Sequence, residues 1–394
     1  MTIEIKHPTR RGRHHRDNKT SPMKTILKNS SIAAAFFALV SVAAAQYVET
    51  DLTGYTQAQN TRYIDPNLNG WGMVRLPNGI YAVADTCPGV VTFYDSSGRP
   101  LSLVIAVPPA PSQPFGPVGS PTGIVLNTSH DFIISANGRS APALLIFDTL
   151  DGTISGWNPA VDQTNAIIMV DNSTEDIPAS YAGLALARDG QGRNILYAAD
   201  GGYSADFSNN RFDMFDRQFQ QIGSFTDPNV ATDYPGNTAF GVENEDGKLF
   251  VTFGGFEPPF GGVVDLFDYA GNLLTPNHFA ANQRGEGPLA NPWPITRAPS
   301  HFGHFSNTLL IGNVEEGTIN AFSDSGEFLG PLLRSDNTPM VIPGLWDFDF
   351  APGNRYTGPG PHLYFTAGPD AADFCGNGLF GFISPERVVP PRPR

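Results

Sequence analysis

The chain has two cysteines, Cys87 and Cys375, in 394 residues. So few exclude a disulfide-dense scaffold, and their spacing excludes a Cys-x-x-Cys redox or zinc motif. No Gly-x-Ser-x-Gly elbow, His-Glu-x-x-His helix or P-loop occurs, which argues against a serine hydrolase or zinc protease of ordinary type. After residue 45 no apolar run is long enough to cross a bilayer as a helix, and none keeps a helical apolar period. Positive charge is scarce, with 24 Lys and Arg against 38 Asp and Glu. Residues 1–45 hold eight of those cations and two of the acids, so the remainder carries a formal −20 against −14 for the whole chain. Such a surface repels nucleic acid and anionic lipid, and neither is an expected partner. A monomer is expected.

What is present begins with a leader. Residues 1–22 are basic and polar. Met23-Lys-Thr-Ile-Leu-Lys28 then leads into an apolar stretch over 32–42 and closes on Ala43-Ala-Ala45. A charged start, a short apolar run and an Ala-x-Ala end predict a secretory signal peptide over 1–45, hence a secreted protein with no membrane span after cleavage. Two sequons, at Asn127 and Asn172, are expected in surface loops, where a eukaryotic host would glycosylate them. The Pro- and Arg-rich residues 385–394 predict an extended tail.

Between leader and tail, 42 Gly and 35 Pro suit many short strands. An apolar strand ending near Asp or Asn, followed by a strand reading Phe-Asp before a Gly turn, returns along the chain. Ile80–Asp85 with Val91–Asp95 is one copy, Leu196–Asp200 with Phe212–Asp216 another, and Leu249–Phe253 with Val263–Asp268 a third. The Phe-Asp anchors Asp95, Asp148, Asp216, Asp268 and Asp324 mark the period. A sheet-forming repeat of roughly 50 residues predicts an all-β fold, a six-bladed β-propeller of four-stranded blades over 46–384. Blade six lacks a strand after Leu379–Ile383, and Tyr47–Leu52 is expected to supply it and close the ring. Closure makes blades one and six neighbours. Cys87 and Cys375 follow second strands of those two blades, so a disulfide between them is expected in an oxidising compartment.

The wording of the inner strands carries a resemblance. Asp65–Met73 (DPNLNGWGM), Asp151–Pro159 (DGTISGWNP), Gly344–Phe350 (GLWDFDF) and Leu363–Pro369 (LYFTAGP) resemble a family of secreted six-bladed propellers of bacteria and fungi, known as conserved hypothetical proteins. The layout is more distantly similar to NHL-repeat and gluconolactonase-like (SMP-30) propellers. The resemblance implies the fold and export, and it brings no settled activity. The chain departs from the family's pattern at Gly70, where Pro is usual, at Pro294, where Gly is usual, and at Asp347 and Asp349, where small apolar residues are usual. These departures fall on inner strands, beside the channel.

Two readings attach to each candidate site. Asp85, Asn137, Asp200 and Asn313 end second strands; with Glu243, or with Asp347 or Asp349, they would offer the oxygen ring that calcium takes. Equally, such residues cap turns through side-chain-to-backbone hydrogen bonds. Trp71, Trp293 and Trp346 open the inner strands of blades one, five and six, and either wall an apolar pocket with Asp347 and Asp349 or wedge between blades. His301 and His304 are near neighbours in a loop whose spacing fixes no geometry, and His130 and His278 carry no motif. The functional expectation is a small molecule or extracellular ligand bound at the channel mouth. The alternatives are a metal-dependent lactone or ester hydrolase, a metal-free cyclase (pericyclase-like) of secondary metabolism, and an extracellular interaction protein.

Overall fold

A computed structural model describes residues 46–386 except 113–115, 203–208, 256–257, 355–357, 369–373 and 377. The leader and residues 387–394 of the tail lie outside the described residues. Six sheets of at least four strands form the blades of a β-propeller, and each blade's first strand lines the central channel. Those inner strands are Gly70–Arg75, Pro121–Leu126, Tyr181–Arg188, Thr238–Glu245, Pro292–Arg297 and Leu345–Asn354. Apolar residues at consecutive positions of the second and third strands bury both sheet faces, as stacked blades require.

Strand Tyr47–Gly54 completes blade six, pairing antiparallel with Leu379–Pro385 from Tyr47 opposite Pro385 to Gly54 opposite Leu379. The closing pair therefore runs through Pro385. Closure by a strand from the opposite chain end removes the free edge that an open ring would expose. The Tyr47 hydroxyl reinforces it, donating to the Phe302 carbonyl at 2.9 Å and accepting the Phe305 N–H at 3.2 Å in blade five. Across the seam with blade one, Cys87 and Cys375 are disulfide-bonded with Cα atoms 5.5 Å apart.

Blade two differs from the repeat read in the sequence. Its second strand is Leu145–Thr149, and a separate hairpin, Ile133–Ala136 with Arg139–Pro142, is inserted before it. Asn137 sits at the exposed tip of that hairpin, where Asn137 and Gly138 take φ of +54° and +75°, the pair a tight hairpin turn requires. Asp148 therefore ends a second strand, as Asp85, Asp200 and Asn313 do. Asp95, Asp216, Asp268 and Asp324 instead follow third strands.

Every inner strand carries a one-residue β-bulge near its start. The register slips between Gly70 and Met73, Pro121 and Ile124, Tyr181 and Leu184, Ala239 and Gly241, Pro292 and Ile295, and Leu345 and Asp347. A bulge re-aims a side chain that the pleat would send elsewhere. Here the bulged residues include Trp71, Ala182, Phe240, Trp293 and Trp346, which meet as one buried cluster. The glycines beside them are required by close approach: a Cβ on Gly72 would lie 2.6 Å from the Thr122 carbonyl oxygen, and one on Gly123 2.4 Å from the Leu184 nitrogen.

Candidate functional site

The bulges close the channel. The Trp71 and Trp346 rings stack with centroids 3.4 Å apart, and Trp293 meets Trp346 edge-on at 6.3 Å. Both the Trp71 and the Trp293 Nε1–H donate to the Ala182 carbonyl, at 3.2 and 2.7 Å. Two of the three indoles thus satisfy their polar edge on another blade, and the three rings together leave an apolar plug.

Past this plug, where the inner strands run out, a cavity of about 900 Å³ opens. Met73, Ile124, Leu184, Trp293 and Ile295 give it apolar walls. Its ionisable lining is one-sided: Asp131, Glu243, Glu245, Asp347 and Asp349 against Arg188, with His130 at the rim. Glu243 and Glu245 alternate on the inner strand of blade four, and Asp347 and Asp349 on that of blade six, so the two-residue strand period turns both pairs into the channel.

Asp347 is buried, and its Oδ2 accepts the Met73 N–H at 2.6 Å. Burial pushes its pKa up to about 8; the Met73 N–H tempers the shift and the nearby Asp349 charge adds to it. Glu243 is pushed well above the carboxylate range by burial and then by the charges of Asp347, Asp349 and Glu245. Solvent reaches Asp349 through the mouth although protein surrounds it on most sides. Burial raises it to about 6, opposed by the Phe350 N–H and the Arg75 charge. Glu245 rises to about 7, through burial first and then repulsion from Asp246 and Asp349, with Arg297 opposing. Near neutral pH the cavity therefore holds protonated and ionised carboxyls side by side.

The residues read from the sequence divide between two ends of the propeller. Asp85, Asp200 and Asn313 pair opposite the first residues of inner strands, Gly70, Tyr181 and Pro292. Glu243 pairs near the far end of its strand. The four therefore do not form one ring around a calcium ion. Their oxygens are already engaged: Asp85 accepts the Asn69 N–H at 2.8 Å and the Thr92 hydroxyl at 2.6 Å. Asp200 accepts the Ser180 and Gly202 N–H groups at 3.0 and 2.9 Å, and Asn313 Oδ1 accepts the Ala290 N–H at 3.0 Å. Asp148 does the same for Gly123 N–H and the Thr122 hydroxyl, both at 2.7 Å. These side chains fasten blades one, two, three and five to the starts of their inner strands.

Asp347, Asp349, Glu243 and Trp293 are the sequence candidates that the fold brings to one cavity, whereas Trp71 and Trp346 belong to the plug. Glu245, Asp131 and Arg188 join them without having been singled out. A period-two count from Glu243 would have found Glu245, but Asp131 comes from the loop after blade two's inner strand and left no signal. His301 and His304 are exposed in a loop, with Ser300 Oγ 2.8 Å from His301 Nδ1. Asn127 is not on the surface. It is buried, and its Nδ2 donates to the Asp131 and Ala143 carbonyls at 3.0 and 2.8 Å, leaving the folded protein no accessible amide for a glycan. Asn172 is half-buried, its Nδ2 donating to the Tyr181 hydroxyl at 2.8 Å.

No family model matches the chain. The chain is 28% identical over 350 residues to uncharacterized protein L690 of Acanthamoeba polyphaga mimivirus, covering 83% of each chain. It is 26% identical over 340 residues to protein R648 of the same virus, covering 83% of this chain and 78% of that one. Both of these relatives are viral proteins. Among solved structures the chain is similar to virginiamycin B lyase from Staphylococcus aureus, at 10% identity and a TM-score of 0.47, over 86% of this chain and 99% of that one. It is also similar to a gluconolactonase from Xanthomonas campestris, at 11% identity and a TM-score of 0.48, over 81% and 88%.

Proposed function

We propose that this chain is a secreted propeller that binds a small organic cation at the mouth of its central channel. The observation that carries the reading is the lining of the cavity, five carboxyls against one arginine above walls that include an indole. A cation with an apolar body answers both features. Its charge lowers the repulsion among Glu243, Glu245, Asp347 and Asp349, and its body covers the apolar wall of Ile124, Leu184 and Trp293. Export rests on the leader and agrees with the Cys87–Cys375 disulfide, and among the described residues no helix is long and apolar enough to cross a membrane.

One observation favours a second reading. Glu243 and Asp347 share a partly dry cavity and cannot both ionise readily, which is how a carboxyl is kept protonated as a general acid beside an ionised base. That reading makes the protein a metal-free acid–base enzyme on the same cationic ligand, and turnover separates the two. Of the indoles the cyclase reading could use, Trp293 lines the cavity, whereas Trp71 and Trp346 lie in the plug.

A thermal-shift screen of small molecules in matched pairs, cationic amine against neutral isostere, tests the proposal. Stabilisation by amines and not by their isosteres is expected. Equal stabilisation by both, or by neither, overturns it.

A further inference from the structure

A polar residue recurs at one position of the third strand in several blades. Thr92 lies opposite Val83, Asp213 opposite Ala198, Asp265 opposite Val251 and Asn320 opposite Ile311. All four are buried, so each needs a partner. In blade three the partner is a fixed cation. The Arg211 guanidinium lies 2.8 Å from Asp213 and 3.2 Å from Asp200, two carboxylates with fully buried side chains, and 2.9 Å from Glu175.

Blade four also sets two buried carboxylates side by side at its third strand, the second of them from a different segment and with no arginine between them among the described residues. Asp265 is fully buried on its third strand, and Asp227, from the segment leaving blade three, is fully buried beside it. The Thr275 hydroxyl donates to Asp265 Oδ1 at 3.4 Å, and an imidazole meets both carboxylates. His278 Nδ1 lies 3.0 and 3.1 Å from the two Asp265 oxygens and 3.6 Å from Asp227 Oδ2. Asp227 Oδ1 accepts the Asn229 N–H at 2.8 Å, but its buried Oδ2 makes no hydrogen bond among the described residues and lies 3.6 Å from that same nitrogen. A buried carboxylate oxygen left so is costly unless a cation meets it.

The ligand atoms of Asp227, Asp265 and His278 all lie within 4.8 Å of one another. Two donors each about 2.1 Å from a metal and 90–110° apart stand about 3.0–3.4 Å from each other. The spacings of Nδ1 from both carboxylates are close to that range.

We infer that Asp227, Asp265 and His278 form a binding site for a divalent transition-metal cation of the zinc or manganese class, which meets two buried carboxylates as Arg211 does in blade three. One imidazole with two carboxylates suits such an ion, whereas calcium takes oxygen ligands. The site is apart from the channel cavity, whose lining includes none of the three. The Tyr234 ring packs edge-on against His278 at 5.2 Å and covers the site. The ion's role is structural, tying the exit of blade three to the third strand of blade four.

The test uses tag-free, EDTA-stripped full-length protein titrated with Zn²⁺ and Mn²⁺ by calorimetry, with melting followed in parallel. The wild-type protein is expected to take up one ion and to melt higher with it. Asp227→Asn, which keeps the side-chain shape, and His278→Gln are expected to weaken uptake by about tenfold or more. A His301→Ala/His304→Ala double variant is expected to leave it unchanged. No uptake by the wild-type protein overturns the inference without recourse to any variant. Uptake that survives Asp227→Asn and His278→Gln but is lost with His301 and His304 places the metal on the surface and overturns it too. Should His278→Gln fail to fold, Asp227→Asn and the wild-type titration decide.

Discussion

The Asp347 carboxyl Oδ2 accepts the backbone N–H of Met73 at 2.6 Å, so the last blade holds the first through an ionisable group that also faces the cavity. Structure and charge can be separated at this residue. Asp347→Asn keeps an acceptor for Met73 and removes repulsion with Asp349 and Glu243, so stability is expected to hold or rise. Asp347→Ala strands the Met73 N–H and should cost about 1–3 kcal/mol. Urea denaturation of the two variants checks the difference.

The channel carboxyls give stability an unusual pH dependence. Asp347, Glu245 and Asp349 have folded-state pKa values raised to about 8, 7 and 6. Between the ordinary carboxylate range and those values the folded state binds more protons than the unfolded state, so stability falls as pH rises through this window. Asp148 and Asp200, raised to about 7 by burial, act in the same direction. The ligand-free protein is expected to melt higher near pH 5 than near pH 8, and a melting series in matched ionic strength reads this directly.

The indole plug predicts a large penalty at one site. Trp346 stacks on Trp71 and touches both Trp293 and Phe240. Trp346→Ala removes the centre of that cluster and should cost about 3–5 kcal/mol. Loss of the near-ultraviolet circular dichroism of the coupled indoles accompanies it.

Ring closure is held by a strand and by a disulfide, and the two are separable. Tyr47→Phe removes the hydrogen bonds to Phe302 and Phe305 and should cost about 1–3 kcal/mol. The Cys87→Ser/Cys375→Ser variant releases a loop spanning 288 residues and should lose up to about 5 kcal/mol. Chemical denaturation of both single-step variants under non-reducing conditions measures the two contributions.

The propeller was legible because each blade repeats a local pattern, and the closing strand because blade six runs short of one. Blade two misled, since its inserted hairpin offers Asn137 where other blades have the end of the second strand, and Asp148 fills that place. Asp347 and Asp349 stood out as charges on strands that face a channel. The Asp227, Asp265 and His278 cluster left no trace. Its members come from a linker, a strand and a turn up to 51 residues apart, and only the stacking of blade four on the exit of blade three brings them together. The bulges escaped notice as well, because a one-residue slip of register has no signature in residue type.

The most direct measurement is a calorimetric titration of benzyltrimethylammonium, whose charge does not titrate, into the wild-type protein and into Glu245→Gln/Asp349→Asn, the two channel carboxyls that ionise between pH 5 and pH 8, at both pH values. The account predicts saturable binding by the wild-type protein that tightens about tenfold or more from pH 5 to pH 8 as the channel carboxyls ionise, and its loss in the double variant. Binding that is absent at pH 8, or equal at both pH values and in both proteins, would contradict it.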